Sequence, residues 1–391
     1  MFDPRAPEFR ANPYPFYDML RQAAPIFYWG EWDLWFLSRY DDCNRLLRDN
    51  RLGHAHPPLS EVPEQQRPLF EMESHWMLIN NPPDHTRLRR LVHKAFTPRM
   101  VEKMRHTIQS ITNDLLDSVQ EAAQLDLIAD LAAPLPVTVI AKMLGIPREE
   151  HHNCRIWSKD IARTIDLTEE PAVYNRAAET TVMFTGYLKQ LIRERRANPQ
   201  DDLLSALIAA EEAGDQLSEK ELHATVILLF VAGHETTINL IGNGTLALLR
   251  HPSQMQQLKN DPSLIKSAIE ELLRYDSPVQ MTSRVVFQEI EWKGHTFRQG
   301  QNIGFLLGSA NHDPDIFAKP HRLDITRQPN RHLTFGSGIH YCLGAPLARL
   351  EGQIAINTLL RRIPTLTLAT ESPQYRDNYT LRGLTTLPLS W

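Results

Sequence analysis

Residues 218–251 carry the pattern that most restricts the fold. Ser218 followed by Glu221 has the form of a capping box, and Pro252 ends the run. The stretch between them predicts one helix of roughly 30 residues and about 50 Å. His234 and Glu235 interrupt its apolar residues, which argues against a membrane span. A chain of 391 residues is long enough to surround such a helix with a sizeable core. The helix also holds a polar break, Ala232-Gly233-His234-Glu235-Thr236-Thr237. A mid-helix glycine costs about 1 kcal/mol relative to alanine, and a carboxylate beside two hydroxyls needs a use in apolar surroundings. One use is structural, with threonine bonding back to a carbonyl one turn earlier. The other is functional: a locally opened helix would admit water and let Glu235 and Thr236 pass protons. Two other motifs fail here. His234-Glu235 lacks the second histidine of a zinc protease, and Gly242-x-Gly244-x-x-Ala247 lies within a helix instead of after a strand.

The second constraint is Phe335-Gly336-Ser337-Gly338-Ile339-His340-Tyr341-Cys342-Leu343-Gly344, which precedes a helical run from Ala345. Glycines at 336, 338 and 344 permit positive φ and close approach to a flat partner. Amides at the helix start favour a thiolate. A thiolate serves either as a nucleophile or as a ligand to a soft metal. His340 is two residues away, a spacing at which side chains rarely face each other, so cysteine-hydrolase chemistry is the weaker alternative. Cys43 and Cys154 are isolated, which leaves no ligand set for structural zinc. A single axial thiolate on haem iron needs no second cysteine.

Phe335-x-x-Gly338-x-His340-x-Cys342-x-Gly344 resembles the haem-binding signature of the cytochrome P-450 superfamily, and three further motifs follow the family's order. Asp84-His85-Thr86-Arg87-Leu88-Arg89 opens a helix in which His85 and Arg89 share a face. The resemblance implies that they bind a haem propionate, with Arg284 and His340 as further propionate ligands. Glu235 and Thr236 resemble the acid-alcohol pair of oxygen-activating members. Glu271 and Arg274, with Arg327, resemble the family's buried triad that holds the haem loop. The same resemblance implies a mainly α fold, a large helical region with a small β-rich part around a buried haem b. Ala232, Gly233, Phe335, Gly336 and Gly344 would then contact the haem, and Cys342 would bind its iron.

The remaining sequence fits that frame. Net charge is −5, unlike a nucleic-acid protein. No signal peptide or membrane anchor is expected, and three unpaired cysteines suit a reducing cytoplasm. Short helices are predicted at 16–23 and 40–50, with a hairpin over 26–35 between them. Residues 51–83 carry seven glycines and prolines in positions that forbid long helices; the resemblance makes this segment the lid over the substrate. Helices dominate 98–196. Short antiparallel strands are predicted over 282–306 around Lys293-Gly294 and Gln299-Gly300. The expectation is a single domain, 1–391, that hydroxylates or epoxidises a small to medium apolar substrate such as a polyketide, terpenoid, steroid or fatty acyl group. Dioxygen is the co-substrate, and NAD(P)H electrons arrive through a ferredoxin and its reductase. A hydrogen-peroxide-driven peroxygenase and a non-catalytic haem-thiolate gas sensor are the alternatives.

Overall fold

A computed structural model describes residues 3–166, 170–212 and 217–391. In chain order the helices are α1 (Pro7–Ala11), α2 (Tyr14–Ala23), α3 (Tyr40–Leu46), α4 (Arg67–Glu73), α5 (Asp84–Ala95), α6 (Pro98–Asp117), α7 (Pro134–Met143), α8 (His151–Ala162), α9 (Pro171–Ala197), α10 (Leu203–Glu212), α11 (Glu219–Arg250), α12 (Pro252–Asn260), α13 (Ile265–Tyr275), α14 (Leu307–Ala310) and α15 (Ala345–Arg362). The strands are β1 (Ile26–Trp29), β2 (Leu34–Leu37), β3 (Leu52–Gly53), β4 (Gln124–Asp126), β5 (Met281–Val286), β6 (Ile290–Trp292), β7 (His295–Phe297), β8 (Asn302–Leu306), β9 (Thr367–Leu368) and β10 (Pro388–Ser390). The chain divides into two compact units. One comprises Met1–Gly53, Ile108–Pro134 and Thr236–Trp391, and the other His54–Thr107 and Leu135–Glu235.

The first unit holds the sheets. Five strands run in the order β1-β2-β8-β5-β3. Most neighbours are antiparallel, as alternation predicts, but β2 and β8 are parallel, with Leu34 opposite Asn302. No local turn dictates that direction, because more than 260 residues separate the two strands. Leu37, Phe297, Ile303 and Phe305 fill the core beneath the sheet, each worth roughly 2 kcal/mol in burial. A second core joins α11, α13 and α15 through Leu240, Leu248, Ile269, Leu272 and Ile356. The small β4-β10-β9 sheet interrupts the region expected to be helical, since Leu125 pairs with Leu389. A strand of three residues is too short to display its alternation.

The second unit is helical. Trp157 of α8 packs on Phe184 and Tyr187 of α9. Helix α4 lies in the proline-rich segment, just after a 3-10 turn at Glu64–Gln66. It rests on α9 through the stacked pair Phe70–Tyr174, at 5.9 Å and 17°, and the Gln66 amide just before α4 donates to Asn175 at 2.8 Å.

Helix α11 runs through both units. Its capping box is reciprocal: the Glu221 amide donates to Ser218 Oγ at 3.3 Å and the Ser218 amide to Glu221 Oε2 at 2.7 Å. By length and composition α11 could cross a membrane, yet 83% of its most apolar window is buried inside the protein. The local opening expected at 232–237 is not observed, and the helix is continuous from Glu219 to Arg250. His234 bonds to the Phe230 carbonyl one turn earlier without displacing the helix. Gly233 has a packing reason instead, since an added Cβ would fall 3.2 Å from Ile140 of α7.

Candidate functional site

The cysteine loop is built by backbone bonds within the first unit. The Gly336 amide donates to Leu333 O at 2.7 Å and the Cys342 amide to Phe335 O at 2.9 Å, so the chain closes on itself around Phe335. Gly336 and Gly338 both have φ of +71°. At Gly338 any side chain is also excluded by space, because a Cβ would lie 2.7 Å from Leu47 O. Gly344 departs from expectation: its φ is −78°, ordinary right-handed backbone at the start of α15. A Cβ there would stand 3.9 Å from Cys342 Sγ, so its contribution is open space beside the sulfur. His340 ends a short 3-10 turn, Gly338–His340, and is half-buried.

Among the three cysteines only Cys342 is not buried. Burial pushes the Cys43 thiol well above its ordinary range and that of Cys154 up to about 12, which keeps both neutral and inert. The loop is anchored on several sides. Arg48 Nε donates to Ser337 Oγ at 2.7 Å. The Arg349 guanidinium lies 4.4 Å over the Phe335 ring and is held by Glu270. Asn311 accepts the Leu333 amide at 2.6 Å and donates to Ser277 and Thr334. Asn311, Arg48 and Glu270 escape sequence reasoning because each stands in an unremarkable context and reaches the loop only through tertiary folding.

The triad suggested by Glu271, Arg274 and Arg327 is present. Arg274 meets both Glu271 oxygens at 2.8 Å, and Arg327 Nε reaches them at 3.0 and 3.1 Å. Arg274 also donates to the carbonyls of Asn311, Pro320 and Arg322, which fixes the segment leading into the loop. Arg284 of β5 is buried and donates only to Thr282 Oγ1 and Ser283 O, with no carboxylate partner among the described residues. Burial lowers it to about 10. A buried guanidinium without a counter-ion fits an anionic ligand group.

In the second unit, His85 is buried and Arg89 is half-buried one turn further along α5. Arg87 points elsewhere, paired with Glu221. His234 is buried, with Nε2 3.4 Å from both Ser158 Oγ and Glu235 Oε1, and Glu235 is itself buried. Between residues 222 and 248 of α11 only Ala232, Gly233 and Thr236 are not buried. They form a strip of small side chains on which a flat ring system could lie.

Comparison with known proteins identifies the family. The cytochrome P-450 family model matches residues 23–389. The polyketide biosynthesis cytochrome P-450 PksS of Bacillus subtilis (strain 168) is 43% identical, covering 100% of this chain and 98% of the relative. The cytochrome P-450 monooxygenase PikC of Streptomyces venezuelae is 39% identical over 98% of this chain and 92% of its own length. The crystal structure of the BioI cytochrome P-450 in complex with hexadec-9Z-enoic acid ligated acyl carrier protein superposes with a TM-score of 0.94 at 43% identity, covering 98% of this chain and 99% of that one.

Proposed function

This chain belongs to the cytochrome P-450 family of monooxygenases, and on that premise we propose that it oxidises an unactivated carbon of an acyl or polyketide chain. The substrate class is supported by the names of its relatives, one in polyketide biosynthesis and one crystallised with an acylated carrier protein. The observation that carries the haem site is Cys342, the single cysteine not buried, on a loop closed by its own amides. Haem b, when bound, supplies the oxygen-activating chemistry. The residues present fit that group: a thiol beside a small glycine, a strip of small side chains on α11, and a buried arginine lacking a counter-ion.

The remaining work belongs to the chain. Cys342 Sγ would bind the haem iron, and the glycine at 344 leaves it approachable. By the family resemblance His85, Arg89, Arg284 and His340 would hold the two propionates through charge-assisted hydrogen bonds. Burial of Glu235 keeps its carboxyl close to His234, and Thr236 Oγ passes the proton from that pair toward the reacting oxygen. The enzyme is cytoplasmic and draws NAD(P)H electrons through a separate ferredoxin and ferredoxin reductase.

The test has two parts. Cys342→His should load less haem and lose the thiolate signature of the reduced carbon monoxide complex, and a persisting signature would reassign the ligand. Thr236→Ala should keep substrate binding, seen as the Soret shift, while electrons leave as hydrogen peroxide. A ratio of product to NAD(P)H equal to wild type would remove Thr236 from proton delivery.

A further inference from the structure

We propose that the outward face of α8 is the docking surface for an acyl carrier protein that presents the substrate as a thioester. The inference rests on the acyl-chain reading above and goes beyond it by placing the partner. His152, Arg155, Ile156, Lys159 and Arg163 are all exposed, and at this spacing they form one stripe along α8 and its 3-10 extension. Two other cations of these helices are engaged, Arg176 with Asp160 and Arg195 with Asp202. Arg155, Lys159 and Arg163 have no carboxylate in ion-pair range among the described residues. Asp160 is turned to α9, where Arg176 and Thr180 bond it, and Glu150 accepts from Asn153. In a protein of net charge −5 this leaves three uncompensated cations in a row, with the exposed Glu149 at the far end of the stripe.

The stripe is not only charged. Ile156 is 40% exposed, and Val182 and Met183 of the antiparallel neighbour α9 are 56% and 42% exposed. Apolar side chains among unpaired cations have the composition of an interface with an apolar centre and a charged rim. A lipid surface would call for a wide apolar face, and α8 offers one exposed isoleucine. A small acidic helical protein fits better, since its charge complements the stripe and steers encounter. Carrier proteins are acidic and hold the acyl chain on a phosphopantetheine arm.

The stripe also ends where such an arm is needed. Next after Arg163, Thr164 donates to the Ile161 carbonyl at 2.7 Å and to Glu73 at 3.2 Å, and Glu73 is the last residue of α4. The basic face therefore abuts the proline-rich segment assigned to substrate contact, within the same unit.

The test uses haem-loaded full-length protein and a recombinant acyl carrier protein charged with a hexadecanoyl group. Arg155→Glu with Lys159→Glu should weaken carrier binding by at least about tenfold, and wild-type binding should fall as salt rises. The Soret titration with free hexadecanoic acid should be unchanged in that variant. The control pair Lys266→Glu with Arg298→Glu, on the first unit, should bind the carrier like wild type. The proposal is overturned if wild type does not bind the carrier, if the α8 variant keeps its affinity, or if the control pair loses as much. It is also overturned if the α8 variant instead loses binding to phosphatidylglycerol vesicles or slows reduction by ferredoxin. Should the free acid fail to shift the Soret band while the carrier still binds through α8, the acyl reading falls and the docking surface stands.

Discussion

Replacing Arg274 should be the most damaging single change outside the hydrophobic cores. The side chain is fully buried, joined to both oxygens of a fully buried Glu271. Its remaining donors satisfy the carbonyls of Asn311, Pro320 and Arg322. Arg274→Ala breaks a buried ion pair, a loss of about 3–5 kcal/mol. It also orphans three carbonyls at about 1–3 kcal/mol each. Glu271 keeps Arg327, Asn330 and the Asp324 amide, which lessens the first loss. A net loss of at least about 4–6 kcal/mol follows, comparable to the lower end of the 5–15 kcal/mol that stabilises a typical domain. Arg274→Lys should still lose about 2–3 kcal/mol, because an ammonium cannot span Glu271 and the carbonyls beyond it. Arg327→Ala should cost less than either, since Arg274 continues to neutralise the carboxylate. Urea unfolding followed by circular dichroism and Soret absorbance measures all three. If Arg274→Lys unfolds at the wild-type midpoint, the planar fork is not what holds this segment, and the reasoning fails.

Three further outcomes are expected. Burial alone would raise Glu270, but hydrogen bonds from His332 and Arg349 outweigh it and bring it down to about 2. Its stabilisation is therefore full above the ordinary carboxylate range and lost as pH falls from about 4.5 toward 2; acid unfolding of Glu270→Gln should be flatter through that window, and an unchanged slope would refute the pairing. Burial lifts Glu73 to about 7 despite the Thr164 hydroxyl, so its contribution is full below the ordinary range and lost as pH rises from about 4.5 through 7. Glu73→Gln should gain stability on wild type between pH 5 and pH 8 in thermal melts, by up to about 3 kcal/mol, and no gain would mean that the carboxyl is solvated. Arg89→Ala should lower haem content per protein more than Arg87→Ala, because Arg87 is already committed to Glu221; equal haem content in both would count against the propionate assignment.

The sequence made visible whatever was written in local pattern. The capping box at Ser218 placed the start of α11 within a residue, and Pro82-Pro83-Asp84 did the same for α5. The cysteine loop, the Glu271–Arg274 spacing and the His85–Arg89 face were legible because each motif occupies ten residues or fewer. The missed features depend on distant chain. Strand β4 acquires its conformation from Pro388–Ser390, and nothing in Gln124–Asp126 announces it. Gly233 suggested a weak point in α11, but Ile140 fills the space and the helix stays closed. Gly344 suggested positive φ, although the helix that begins after it draws it into the right-handed region. Asn311 supports the loop as firmly as any residue of the motif, and only the fold brings it there.

The parallel pairing of β2 with β8 bears on how the protein is made. During synthesis the hairpin of β1 and β2 emerges early, yet Leu34 finds its neighbour only when Asn302 has left the ribosome. The segments of the second unit, 54–107 and 135–235, are complete before that moment. They are therefore able to fold while the edge of β2 still waits, exposed, for its partner. Slow steps in refolding should accordingly track formation of the five-stranded sheet, whose contacts join distant parts of the chain. Synonymous changes that alter the pace of translation between codons 240 and 300 would lengthen or shorten that wait without altering a single side chain.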